Sequence, residues 1–190
     1  EISEQHGAEL PFIRPSDISQ DSSTDLEVFE HSLAWLEKND NYIPDLVVHL
    51  RPTGPARYVN IIDDAIEKFS KDLSFDSLRS ISLSSQTAYK MWLIENSQLI
   101  SIGNKLGINE SHSQPRQALP KTYWQNGYVD IVRPQTIFKE KSMTGKKVMP
   151  FLTTHKSNDL DYPKDLDKVE KDLKEVIKNH FLYTSLKEED

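Results

Sequence analysis

The chain has 190 residues, of which 36% are hydrophobic and 28% charged, and its formal net charge is −7. That length suits one domain with a real core, and the acidic balance argues against a general binder of nucleic acid or anionic membrane, which both require basic surfaces. With no cysteine, disulfides, thiolate catalysis and zinc–thiolate sites are excluded; no apolar run approaches the roughly 20 residues of a membrane span and no signal peptide is visible, so the expected setting is cytoplasmic.

The first residues, Glu-Ile-Ser-Glu-Gln-His-Gly, read as the end of a helix already under way, with Gly7 at its C-cap. A segment upstream is therefore expected. Residues 9–12 form a short apolar edge segment, followed by Arg14-Pro15 and a polar, turn-rich stretch. Thr24 and Glu27 have the spacing of a capping box, and Leu26, Phe29, Leu33 and Leu36 recur at helical spacing, so a helix is predicted over 25–38. Residues 46–50 (LVVHL) read as a strand covered on both faces. The segment Arg51-Pro52-Thr53-Gly54-Pro55-Ala56-Arg57 follows at that strand's carboxyl end, where open α/β sheets place ligands. The alternative is a rigid strand-to-helix connection with solvated arginines. A second helix is predicted over 59–71 and a strand over 76–82.

Beyond Ser84 the rhythm changes. Residues 89–95 and 98–102 flank Asn96-Ser97 and read as a hairpin with a two-residue turn. Its Met91, Trp92 and Ile94 pack either on a second subunit or on their own domain. Residues 105–114 are polar and expected to be mobile. The run Pro115–Ile131, PRQALPKTYWQNGYVDI, combines a guanidinium suited to carboxylate or phosphate with amides and hydroxyls suited to a sugar. Gly127 permits a tight turn or close approach to a ligand. The competing reading is a stapled surface loop ahead of a strand at 127–133. A short helix over 134–141 comes next, then a strand over 146–152 marked as an edge strand by Pro150. A final helix starts at Pro163 and runs to about Phe181, ahead of a charged, fraying tail at 187–190. Strands alternating with helices predict an α/β fold with a mainly parallel sheet.

Asp159 and Asp161, two apart between a strand and a helix, present both carboxylates to one side if the segment is extended. Such a pair suits Mg2+, which takes one or two carboxylates plus substrate phosphates and water. It equally suits a helix start, where acidic residues are favoured and where Asp165 also fits. The six histidines are scattered and make no i, i+4 pair, so a zinc hydrolase is unsupported. Neither a Gly-x-Ser-x-Gly elbow nor a Gly-rich phosphate loop is present.

Several blocks resemble, in order, the acylneuraminate cytidylyltransferases. Leu10–Pro15, Gln20-Asp21 and the helix carrying His31, Leu33 and Trp35-Leu36-Glu37 resemble the family's "PFxRP…D…HALEWLE" section. Arg51–Arg57 is similar to "QPTSPLR", Arg116-Gln117…Pro120…Tyr123…Asn126-Gly127 to the sugar-side loop, and Asn158-Asp159-Leu160-Asp161 to the "DID" metal motif. The related CMP-Kdo synthetases lack the sugar-side run. The resemblance implies a Rossmann-like nucleotide-sugar transferase fold, a single domain over 1–190 that is incomplete at its N-terminus, and a projecting hairpin at 84–115 that makes a homodimer. It also implies transfer of CMP from CTP to the anomeric hydroxyl of a sialic-acid-like nonulosonic acid, with release of pyrophosphate. Asp159 and Asp161 would hold Mg2+ and, with Arg116, form the catalytic set. Arg51, Thr53, Arg57, Gln117, Tyr123 and Asn126 would surround the sugar acid, and Arg14, Asp21 and Thr24 would lie towards the nucleotide. Family members open with a strand and a triphosphate-cradling loop that these residues lack, so the first βαβ unit is expected to be missing and the chain as written to be inactive. Arg51, Gly54 and Ala56 stand where the family pattern has Gln, Ser and Leu, which leaves the acceptor's identity open. An inactive scaffold of the family, or a nucleotidyltransferase for another sugar acid or a sugar phosphate, are the alternatives.

Overall fold

The computed structural model describes residues 2–155 and 158–187, with side chains as far as Asn179. Its helices are α1 (Ile2–Gln5), α2 (Asp25–Asp40), α3 (Val59–Ser70), α4 (Ile102–Lys105), α5 (Pro134–Glu140) and α6 (Leu166–Lys187). Its strands are β1 (Val47–His49), β2 (Ser77–Leu83), β3 (Trp92–Glu95), β4 (Gln98–Ser101), β5 (Tyr123–Val132) and β6 (Val148–Leu152). Four strands form one sheet in the order β1-β5-β2-β6, and β3 and β4 form a separate two-stranded sheet. No helix among the described residues is long and apolar enough to cross a membrane. Residues 188–190 of the charged tail and the side chain of His180 lie outside the described residues.

The class is α/β with a mixed sheet, where alternation of strands and helices had predicted a mainly parallel one. The Ser84 N–H donates to the Thr122 carbonyl and the Arg133 N–H to the Asp76 carbonyl, so β2 and β5 run antiparallel. The Asp76 N–H donates to Lys147 and the Thr153 N–H to Ile81, so β2 and β6 run parallel. The chain between β2 and β5 returns through a hairpin and short turns rather than a crossover helix, and only parallel neighbours need such a crossover. β6 occupies a sheet edge, as Pro150 requires. Residues 9–12 form no strand.

By its internal contacts the chain divides into two compact units. Glu1–His49, Ile66–Leu78 and Ile131–Met149 form the first; Leu50–Ala65, Arg79–Asp130 and Pro150–Asp190 form the second. In the first unit, α2 packs its apolar stripe on α5. Leu33, Val132 and Ile137 are its buried centre, flanked by Leu26, Phe29, Val47 and Met143. Arg133 closes this unit from within. Its guanidinium donates to the carbonyls of Phe75 at 3.0 Å, Asp72 at 3.1 Å and Phe69 at 3.2 Å, and it lies 4.5 Å above the Phe69 ring.

The start of α2 follows from its sequence. The Glu27 N–H donates to Thr24 Oγ1, and the Thr24 N–H donates to the Glu27 carboxylate at 2.7 Å, which completes the capping box. That main-chain bond, and then the Thr24 hydroxyl, hold the Glu27 carboxyl below its ordinary range. A depressed folded pKa contributes stability above the unfolded value of about 4.3 and loses it as pH falls through the folded value. Thr24→Ala is therefore expected to cost about 1 kcal/mol in urea unfolding at neutral pH. Glu27→Gln should flatten the fall of stability on acidification below about pH 4.5.

In the second unit the hairpin forms as predicted. Glu95 pairs with Gln98 and Trp92 with Ser101. Asn96 and Ser97 take φ of 51° and 62°, the doubly left-handed turn that matches strand twist. The stretch 105–114 carries the end of α4 and a 3-10 turn at Ser111–Ser113. Ser111 is buried, and its hydroxyl donates to the Tyr89 carbonyl at 2.6 Å.

Candidate functional site

All the residues expected to act on the sugar and the metal fall in the second unit, whereas Arg14, Asp21 and Thr24 fall in the first. Arg14 and Asp21 are exposed. Arg14 donates to Ser19 Oγ at 3.0 Å, and Thr24 serves as the cap of α2.

The centre of the arrangement is the 51–57 segment. Its turn closes when the Gly54 N–H donates to the Arg51 carbonyl at 3.3 Å. Arg57 then ties the segment to β5: Nε donates to the Tyr128 carbonyl at 2.7 Å, while Nη2 reaches the carbonyls of Arg51 at 2.7 Å and Gly127 at 3.3 Å. Arg57 thus fastens two stretches of main chain about 70 residues apart in sequence. Its burial holds the guanidinium below its usual pKa range, opposed by the neighbouring Tyr128, Asp159 and Asp130.

The same segment receives the aspartates. The Leu160 N–H donates to the Thr53 carbonyl at 2.7 Å. Gly54 is buried, and a Cβ placed on it would lie 3.3 Å from both Asp159 Oδ1 and Arg57 Nη2. On the other side, Asn158 donates from its main chain and its amide to Asp172 of α6, at 3.0 and 2.7 Å. The helix-start role falls to Asp165, which accepts from the Tyr162 N–H at 3.1 Å. Packing around the Asp159 carboxyl raises its pKa above the ordinary range, and the like charge of Asp161 adds to this, against the opposing Arg57 and Arg51. No group of three or more His, Cys, Asp or Glu side chains able to hold a metal occurs among the described residues. The donor set is therefore two exposed carboxylates. Two carboxylates are a partial donor set for a hard divalent cation, which needs further oxygen donors.

β5 begins at Tyr123, earlier than the predicted 127, because its first residues continue alongside β2. Tyr123 and Asn126 are thus strand residues. Gly127 takes φ of +62° inside the strand, and Asn126 braces this bend. Its amide donates to Thr153 Oγ1 at 2.6 Å and its carbonyl oxygen accepts from the Tyr128 N–H at 3.2 Å. Arg116 and Gln117 sit on the 3-10 turn before the strand, where Arg116 Nη2 donates to the Ser84 carbonyl at 3.2 Å. With Ser84, Thr87 and Lys121, and the apolar Leu83, Leu119 and Pro120, they line a cleft of about 250 Å³.

The sequence reading missed several participants. Lys121, the second of the two cations in the 115–131 run, had been given no role and lines the cleft with Arg116. Tyr58, Tyr128 and His155 form an aromatic cluster, with His155 edge-on to Tyr58 at 4.7 Å and to Tyr128 at 5.7 Å. The Tyr128 hydroxyl, pushed above its usual range chiefly by burial, accepts from the Tyr58 N–H, and Asn179 of α6 donates to the Tyr58 hydroxyl at 2.7 Å. Nothing local in sequence marks these contacts. No family model matches the chain, and no curated protein matches it.

Proposed function

We propose that this chain carries the acceptor and metal side of a cytidylyltransferase of Rossmann-like fold, which moves CMP from CTP to the anomeric hydroxyl of a sialic-acid-like nonulosonic acid and releases pyrophosphate. The observation that carries this reading is the meeting of sequence blocks more than 100 residues apart: the Thr53 carbonyl holds Leu160, and Gly54 lies against Asp159. Asp159 and Asp161 would hold Mg2+, which when bound neutralises phosphate charge and supports displacement at the α-phosphorus. The Leu160–Thr53 and Asn158–Asp172 bonds keep that aspartate segment in place. Arg116, Gln117 and Lys121 offer an acidic sugar two cations and an amide in a cleft of about 250 Å³, below the usual range for a drug-sized ligand and suited to one monosaccharide. Arg51 of the 51–57 segment is assigned to the acceptor as a further cation, and Arg14, Asp21 and Thr24 to the nucleotide side. The hairpin supports a homodimer, because Ile94 and Leu99 are 78% and 61% exposed beside Trp92 and Leu93.

Calorimetric titration of this chain with N-acetylneuraminate tests the acceptor half directly. The free acid is expected to bind and its methyl ester to bind at least about tenfold more weakly, with Arg116→Ala removing the difference. CMP transfer is assayed with CTP, Mg2+ and a panel of nonulosonic acids. Binding of sugar phosphates with no response to any nonulosonic acid would replace this acceptor class.

A further inference from the structure

Gly127 bends β5, and side chains hold the bend. Its φ is +62°. Glycine enters that region about as readily as the extended one, so it permits the bend without selecting it. Selection falls to the Asn126 amide, which is used at both ends: its oxygen accepts from the Tyr128 N–H at 3.2 Å, and its nitrogen donates to Thr153 Oγ1 at 2.6 Å. Thr153 is 5% exposed and is itself fixed, its N–H donating to the Ile81 carbonyl at 2.9 Å. The next donor along the strand, the Val129 N–H, goes to Ser80 Oγ at 2.9 Å. Two successive main-chain donors of β5 are therefore met by side chains, as at a bulge.

The bend redirects the backbone towards the 51–57 segment. Successive carbonyls of a regular strand point to opposite edges, yet those of Gly127 and Tyr128 both accept from Arg57, at 3.3 and 2.7 Å. Arg57 Nη2 also holds the Arg51 carbonyl, on which the Gly54 N–H closes the turn. From that turn the Thr53 carbonyl accepts from the Leu160 N–H at 2.7 Å, between Asp159 and Asp161. Hydrogen bonds joined by short stretches of main chain thus lead from Asn126 to the aspartate pair, and every member lies in the second unit.

We infer that Asn126 is a positioning residue: with Thr153 it selects the Gly127 bend, through which Arg57 fixes the turn that seats Asp159 and Asp161, and it makes no contact with the acceptor. The part played by those aspartates rests on the proposed function. Reacting groups must be held to within about 0.5 Å of their productive geometry, and residues behind them supply that hold.

Hydrogen exchange and steady-state kinetics on Asn126→Ala, Thr153→Val and the double variant test this role. Thr153→Val keeps the shape of a buried side chain and removes only its hydroxyl, so its effect on the site cannot come from a lost substrate contact. In each single variant the Leu160 amide should exchange about tenfold faster while the Trp92–Ser101 amides stay as in the parent. The kcat should fall about tenfold at an acceptor KM near the parent's. The double variant should be no worse than either single one, because both remove the same link. Asn126→Asp should recover most of both losses: one oxygen still accepts from the Tyr128 N–H, and the other can accept from the Thr153 hydroxyl. An Asn126 that faced the acceptor would give another pattern. Asn126→Ala would raise KM, Asn126→Asp would raise it further by repelling an acidic sugar, and Thr153→Val would leave it alone. That pattern overturns the inference, as does an unchanged Leu160 exchange rate in the single variants. If Asn126→Ala does not fold, Thr153→Val and Asn126→Asp are read in the same way. Faster Leu160 exchange in the variants of a protein that transfers no CMP to any nonulosonic acid would overturn the proposed function and leave the positioning role standing.

Discussion

Replacing Asp159 by Asn is expected to lower CMP transfer by about 100-fold or more while leaving the fold at least as stable as the parent. The two effects have one origin. The folded surroundings disfavour the Asp159 carboxylate, first by packing and then through Asp161, so its folded pKa lies above the unfolded value. A carboxyl raised in this way stabilises the fold only while protonated. Its cost sets in as pH rises from the unfolded pKa, about 3.9, through the folded one, and persists at neutral pH. Asn has no charge to suppress, so the variant should unfold at equal or higher urea at pH 7, and this gain should vanish towards pH 3. Transfer falls because one of two oxygen donors for the cation becomes an amide, and no third acidic or histidine ligand stands by to replace it among the described residues. Asp161→Asn should resemble it in activity. A protein that is destabilised by Asp159→Asn yet transfers CMP normally would show Asp159 to be structural and would remove the metal reading.

Much of the frame was legible in the chain. The α2 boundaries follow from a capping box and a regular apolar stripe, both local signals. The hairpin is announced by Asn96-Ser97 between two apolar runs, and the edge position of β6 by a proline that has no N–H to offer a ladder. What stayed hidden depends on partners distant in sequence. Arg57 reads as a solvated or substrate-facing arginine until its carbonyl acceptors, about 70 residues away, are known. Asp130 is invisible within Tyr-Val-Asp-Ile-Val, because Arg79 reaches it only once β5 lies beside β2, and Arg51 only once the 51–57 segment lies against β5. The antiparallel pairing of β5 and β2 escaped because each carries a run of consecutive buried residues, the pattern more usual in parallel sheets. In the candidate site, the residue types and their order were readable from sequence. Which side chains brace main chain and which face solvent was not.

Gly103→Ala should be the most damaging single methyl in the second unit. Gly103 is buried in α4, and its φ is ordinary, so the constraint is space and not backbone conformation. A Cβ there would lie 1.8 Å from Ser111 Oγ, 2.5 Å from Ser111 Cβ and 2.6 Å from the Tyr89 carbonyl oxygen. Carbon atoms in contact sit about 3.5–4.0 Å apart, so Ser111 must move by about an ångström or more and the Tyr89 carbonyl must give way as well. Swinging the hydroxyl aside is not sufficient, because the Tyr89 carbonyl is main chain and is also the acceptor of the Ser111 bond. The expected cost is about 3 kcal/mol or more, at the upper end for overpacking. Ser111→Ala should cost less, roughly 1–2 kcal/mol, since it leaves the Tyr89 carbonyl without that donor but displaces nothing. Combining Gly103→Ala with Ser111→Gly should recover only part of the loss, because the clash with the carbonyl remains. Urea unfolding of the three variants gives the order, and amide exchange at Trp92–Ser101 shows whether the hairpin opens alone or with the rest of its unit. The oligomeric state of Gly103→Ala then bears on assembly: the proposed dimer is built on the apolar face of this hairpin, so a folded Gly103→Ala protein with a disordered hairpin should sediment as a monomer. If it remained a dimer, the hairpin would not be the interface, and Trp92, Leu93, Ile94 and Leu99 would need a different partner.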